Sequence, residues 1–177
     1  MGAGPTVTVV VDGPALLQQG LDAIAGGYHF DTRVTIDGGE VLVASGDRVG
    51  DGTRLTIWAN GGSVAYVLTP AGSWVFPEGG EWEALDTPPS STDPVNALRN
   101  PTSIAAVAAD ATTTVLAVTV PSTSLGVPTA GDSTLNVVLT SGAVSQISYT
   151  STTNGQAAVV QSALSAVVDG TPVVAPI

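Results

Sequence analysis

His29 is the only histidine in the chain, and it stands two places from Asp31 on a segment that alternates polar and apolar residues. A serine–histidine–aspartate relay would use such an imidazole as general base, provided a serine hydroxyl meets it in space. Its place in the alternation predicts the wet face of a strand, the position of an ordinary surface histidine. Gly131-Asp132-Ser133-Thr134 approaches the Gly-Asp-Ser-Leu signature of one hydrolase class. No histidine follows it to serve as base, so it reads as a turn entering a strand. There is no Gly-x-Ser-x-Gly elbow, and without lysine there is no Ser-x-x-Lys pair. These absences point away from acyl-enzyme catalysis.

Oxygen ligands for a hard cation would have to come from Glu78, Glu81, Glu83 and Asp86, or from Asp47 and Asp51 beside a glycine turn. Neither group has the EF-hand spacing, and carboxylates in turns are ordinarily solvated. Paired carboxylates also serve glycoside hydrolysis, but no aromatic cleft is apparent to support it. Trp58, Trp74 and Trp82 fall on neighbouring predicted strands. Core packing is the expected role for large rings, with a sugar- or peptide-binding surface as the other use. Trp58 is the exception, because alternation turns it away from Leu55 and Ile57.

The composition narrows the classes further. Four arginines, no lysine and fifteen acids give a net charge of −11, which repels nucleic-acid backbones. With no cysteine, disulfides, thiolate metal sites and thiol nucleophiles are excluded, and no cofactor motif is present. Apolar residues make up 44% but are scattered among Thr, Ser and Gly, with no run long enough to cross a bilayer as a helix. Met1-Gly2-Ala3-Gly4 lacks the basic start and apolar stretch of a signal peptide.

The spacing of these residues predicts a mainly β chain with few short helices. Pro5 to Val11 is β-prone, a short strand or a loose tail. Asp12 and Pro14 then open a short helix carrying Leu17, Leu21 and Ile24 on one face, stopped by Gly26-Gly27. Tyr28, Phe30, Thr32, Val34 and Ile36 alternate with polar residues, and Asp37-Gly38-Gly39 turns the chain into Val41–Ala44. Leu55, Ile57 and Ala59 follow, then the Asn60-Gly61 hairpin signal, then Val64, Tyr66 and Leu68. Pro70-Ala71-Gly72 leads into Trp74 and Phe76, and the chain returns toward Trp82 and Leu85. The run Thr87–Thr92 breaks the meander. Asp93 caps a short helical segment from Pro94 to Leu98, and the apolar stretch Ile104–Ala109 is expected as a helical or irregular connection. Val115–Val120, the alternating Leu135, Val137 and Leu139, Val144–Thr150 and Ala157–Val160 supply further strands, with a Pro/Gly/Ser-rich loop over residues 121–132. One domain over residues 14–170 is predicted, with tails at residues 1–13 and 171–177, the latter expected to fray.

The order helix (ALLQQGLDAI), strand (YHFDTRVTI), hairpin meander ending in SWVFPEGGEWEALD, then DPVNALRNP and further strands resembles the LppX/LprG-type envelope lipoproteins of actinobacteria. The likeness covers residues 14–165. Gly80-Glu81-Trp82 and the Asp93-Pro94…Asn100-Pro101 segment are the motifs that carry it. It implies a LolA-like half-barrel: a curved antiparallel sheet packed around one or two helices, leaving an apolar cavity for acylated lipids. It also implies a non-catalytic role in lipid or lipoprotein transport, in an exported protein of the cell envelope or a periplasm-like space, with a membrane transporter as partner. The anchor-bearing amino-terminal cysteine of that family is missing, so a lipid anchor is implied only for an untrimmed precursor. The second half is short for the family, which would shrink or open the cavity. The cavity wall would be formed by Phe30, Val34 and Ile36, by Leu55 and Ile57, by Val64, Tyr66 and Leu68, and by Leu135, Val137 and Leu139. The competing reading is plain core packing in a structural or adhesive extracellular β-domain.

Overall fold

The computed structural model describes residues 12–87, 93–126, 131–153 and 155–176. The β-prone stretch over residues 5–11, and parts of the two predicted loops, lie outside them.

The chain opens on helix α1 (Gly13–Ala23), whose N-cap Asp12 accepts a hydrogen bond from the Ala15 N–H at 3.2 Å. Leu17 is buried on the apolar stripe that the spacing predicted. Six strands then run as a meander: β1 (Gly27–Ile36), β2 (Gly39–Val49), β3 (Gly52–Ala59), β4 (Gly62–Thr69), β5 (Gly72–Pro77) and the short β6 (Glu83–Leu85). Asp37-Gly38 and Asn60-Gly61 make tight hairpins with positive φ at both central residues, the geometry that matches strand twist.

A 3-10 turn (Pro94–Arg99) carries the chain to the opposite edge, where the second meander begins. It comprises β7 (Ser103–Ala109), β8 (Thr113–Pro121), β9 (Asp132–Thr140), β10 (Ala143–Thr153) and β11 (Gln156–Ser165). Ile104–Ala109 is thus an edge strand, not the helical or irregular connection its alanines suggested. Pairing with β8 overrides their helix propensity. The strands form one antiparallel sheet of eleven, ordered β6-β5-β4-β3-β2-β1-β11-β10-β9-β8-β7. The sheet is open and curved, a half-barrel wrapped around α1 and the 3-10 turn.

Three bulges bend it. Val41, Ser145 and Val107 each insert one unpaired residue in β2, β10 and β7. The extra residue in β10 turns both Val144 and Ile147 inward, although they are three apart, and both are buried. α1 packs on β10 and β7, and the 3-10 turn packs on β8. Under them lies the core, built from Leu17, Val95 and Leu98 against Leu116, Val118, Val137 and Ile147.

Residues 166–176 do not fray. Arg54 Nη1 donates to Thr171 Oγ1 at 3.0 Å and pairs with the Asp169 carboxylate at 3.1 Å. Val173 lies over Gly52, where an added Cβ would come within 2.5 Å of it. The segment is a strap across the convex face.

A candidate ligand-binding face

All eleven residues expected to line a cavity share the concave face, because alternation and ladder register keep each strand in phase with its neighbours. They divide into two groups. Phe30, Leu135, Val137 and Leu139 are at most 2% exposed and Leu55 is 6% exposed. These five are buried core, pressed beneath α1 and the 3-10 turn or against that core, with Leu139 also reaching a small cleft beside α1. Val34, Ile36, Ile57, Val64, Tyr66 and Leu68 are half-buried, on the part of the sheet away from both helical elements. Ile57, Tyr66 and Leu68 pack against the core's edge, and the other three extend the surface outward.

The boundary is marked on the central strands. Phe30 faces Leu164 in the core, and Thr32 faces Ser162 in the next row, their hydroxyls 2.7 Å apart and buried. Val34 and Val160 then begin the half-exposed surface. Leu42, Val75, Tyr149 and Val160 also belong to this face but escaped the sequence reading. Leu42 is brought inward by the Val41 bulge, and the others follow once register is known. Burial raises the Tyr149 phenol above its ordinary value, as expected for a hydroxyl on an apolar wall. Together these residues form one half-buried apolar face across neighbouring strands. At the core end, Tyr28 Oη donates to the buried Asp93 carboxylate, which also caps the 3-10 turn through the Val95 N–H at 3.0 Å.

His29 lies on the convex face, as its alternation predicted. Its Nδ1 is 3.0 Å from Asp47 Oδ1, and its Nε2 is 3.4 Å from Ser45 Oγ and 3.5 Å from Asp31 Oδ2. The order serine, histidine, aspartate is therefore present in space. Acyl transfer also needs donors for an oxyanion, and Ser45 sits on an interior strand whose backbone is committed to ladders on both sides. In the structure the cluster forms part of a clasp. Asp47 Oδ1 accepts the Val168 N–H at 2.9 Å, fixing the start of the strap, and Arg54 holds the next turn of it. Burial pushes the Asp47 carboxyl up, but the Val168 N–H and His29 outweigh it and hold it below its ordinary 3.8. This contribution to stability is full above the ordinary carboxyl value and is lost as pH falls through the lower folded value. Asp47→Ala is expected to speed amide exchange at Val168 by about tenfold or more at neutral pH, the worth of one charge-assisted bond. The wild type should lose the same protection only in acid below 3.8. Unchanged exchange in the variant would remove the clasp.

All three tryptophans face outward, which corrects the expectation of core packing for Trp74 and Trp82. Trp74 pairs with Val67 on the convex side, and Trp82 stacks on Phe76 with ring centroids 5.3 Å apart. Among the described residues, no group of three or more acids and histidine is arranged to hold a metal ion. No helix among them is long and apolar enough to cross a membrane. Neither a comparison with protein-family models nor one with curated proteins finds a match to this chain.

Proposed function

We propose that the half-exposed concave face binds acyl chains, and that the protein is a non-catalytic lipid or lipoprotein carrier of the cell envelope. One observation carries the reading: Val34, Ile36, Ile57, Val64, Tyr66 and Leu68 form a continuous apolar wall on the side of the sheet that α1 and the 3-10 turn leave uncovered. Water on such a wall is replaced favourably by a long apolar guest, at about 0.8 kcal/mol per buried methylene. The resemblance to the LppX/LprG-type lipoproteins supports the same assignment, with export, an anchored precursor and a membrane transporter as donor or acceptor of the cargo. The filled half beneath α1 favours a second reading, a structural or adhesive β-domain in which only packing is needed.

Native mass spectrometry of the gently purified protein separates the two. The carrier reading expects bound acyl-bearing masses that organic extraction removes. Ile57→Asp places a charge in the middle of the wall and is expected to weaken binding of a fluorescent fatty acid about tenfold or more. Its fold should be retained, because Ile57 borders the core without being enclosed by it. An empty wild-type protein that also fails to take up the fatty acid would leave the structural reading alone.

A further inference from the structure

A second opening lies at the Asn60-Gly61 end of the sheet, where the convex face meets the rim of the concave one at Leu42 and Ala59. Trp58, on β3, is 44% exposed, while Trp74 is half-buried and borders a separate cleft shared with Phe76, Trp82 and the strap's Pro176. Trp58 instead borders an open cleft of about 490 Å³ at the Asn60-Gly61 hairpin end. Val43 flanks it on β2 and Ser63 on β4, directly across the ladder. Two carboxylates stand in the same cleft. Glu78 is fixed there by accepting the Ser63 N–H at 3.3 Å, and Glu40 lies on the other side.

Among the described residues lining the cleft there is no arginine, and three of the chain's four arginines lie elsewhere. Of its four arginines, Arg48 faces Asp93, Arg54 holds Asp47 and the strap, and Arg99 ends the 3-10 turn. Arg33 pairs with Glu40 at 3.8 Å with both side chains well exposed, so a guest competes there only with a solvent-screened ion pair. An indole face beside two carboxylates attracts positive charge twice over, through the ring quadrupole and through direct ion pairing. A neutral sugar ring would use the ring but not the doubled negative charge.

We propose that the Trp58 cleft is a binding site for an organic cation, an ammonium or guanidinium group laid on the indole between Glu40 and Glu78. The group can come from a small quaternary ammonium compound or from a basic side chain of a protein partner. The cleft is open along the hairpin end, which admits either. Its affinity for a single charge falls in the millimolar range, and several basic side chains in one segment raise it.

The test follows the three tryptophan indole N–H signals by nuclear magnetic resonance in the intact protein. Tetramethylammonium chloride and a short arginine-rich peptide are titrated against potassium chloride at equal ionic strength. The Trp58 signal is expected to shift saturably with both probes, while Trp74 and Trp82 stay still. Tighter binding of the peptide identifies a protein source, and equal or weaker binding identifies a small cation. Glu78→Gln combined with Glu40→Gln should weaken binding about tenfold, with the other two indole signals reporting an intact fold. The proposal is overturned if potassium chloride alone reproduces the shift, if the double variant binds as well as wild type, or if maltose moves Trp58 as strongly as the cations do.

Discussion

Gly46→Ala is expected to be the most damaging small substitution in the sheet. Gly46 lies on β2 between Phe30 on β1 and Leu55 on β3, in one row across the concave face. A Cβ there would come within 2.3 Å of the Arg54 carbonyl oxygen and 2.8 Å of the Leu55 Cα. Both are backbone atoms, so relief requires β2 and β3 to part rather than a side chain to turn. The cost is about 3 kcal/mol, at the upper end of overpacking, and is read as a lower urea midpoint with an unchanged slope. Gly61→Ala is the control. Its φ of +80° disfavours a side chain but nothing lies within reach, so a loss of about 1 kcal/mol is expected. Equal losses at the two positions would show that close strand approach at Gly46 does not govern the effect.

The second large effect is expected at Asp93. This carboxylate accepts from Tyr28 Oη, caps the 3-10 turn and faces Arg48 at 3.9 Å, all at 7% exposure. Asp93→Ala leaves a buried phenol without its acceptor and uncaps the turn, for about 2–4 kcal/mol. Asp93→Asn keeps an acceptor for the Val95 N–H and offers its amide N–H to the Tyr28 oxygen, and should lose about half as much. The pH dependence distinguishes charge from shape. Burial raises the Asp93 carboxyl, and the hydrogen bonds from Tyr28 and Val95 with the nearby arginines only partly oppose it. The folded protein therefore holds this proton at higher pH than the unfolded chain does. The group's contribution is full below the ordinary carboxyl value and declines as pH rises through the raised one. Asp93→Asn should remove that decline, so the stability gap between variant and wild type narrows toward neutral pH. A gap that widens instead would show that the ionised carboxylate is the stabilising form.

Much of this was legible in the residues. Period-two alternation placed all eleven wall residues on one face, because an antiparallel strand has only two faces and its neighbours share them. Alternation could not say which of the eleven a helix would press upon, and that division separates the buried core from the half-exposed wall. Ile104–Ala109 misled because a short apolar run fits a packed helical connection as well as a strand, and its pairing with the next strand, β8, decides the matter. The strap was invisible because Thr171 and Val173 have no periodicity, and their anchors, Arg54 and Gly52, lie more than a hundred residues upstream.

The Val41 bulge was the least legible feature and the most consequential for the convex face. The tight turn pairs Ile36 with Gly39, and an unbroken ladder would carry that register on to His29 opposite Gly46. The extra residue moves the pairing by one, so His29 meets Asp47 and Phe30 meets Gly46. One inserted residue thereby assigns Ser45 and Asp47 to the clasp and gives Gly46 to the core. No local signal in residues 39–44 announces it.

Every ladder in the sheet but one joins strands that follow each other in the chain. The exception is β1 with β11, whose Thr32 and Ser162 are 130 residues apart. The largest single loop-closure cost of the sheet thus falls on that seam, while each hairpin to either side of it closes more cheaply. The two meanders zip locally, and the speed at which the whole chain folds is governed by how often their inner edges find each other.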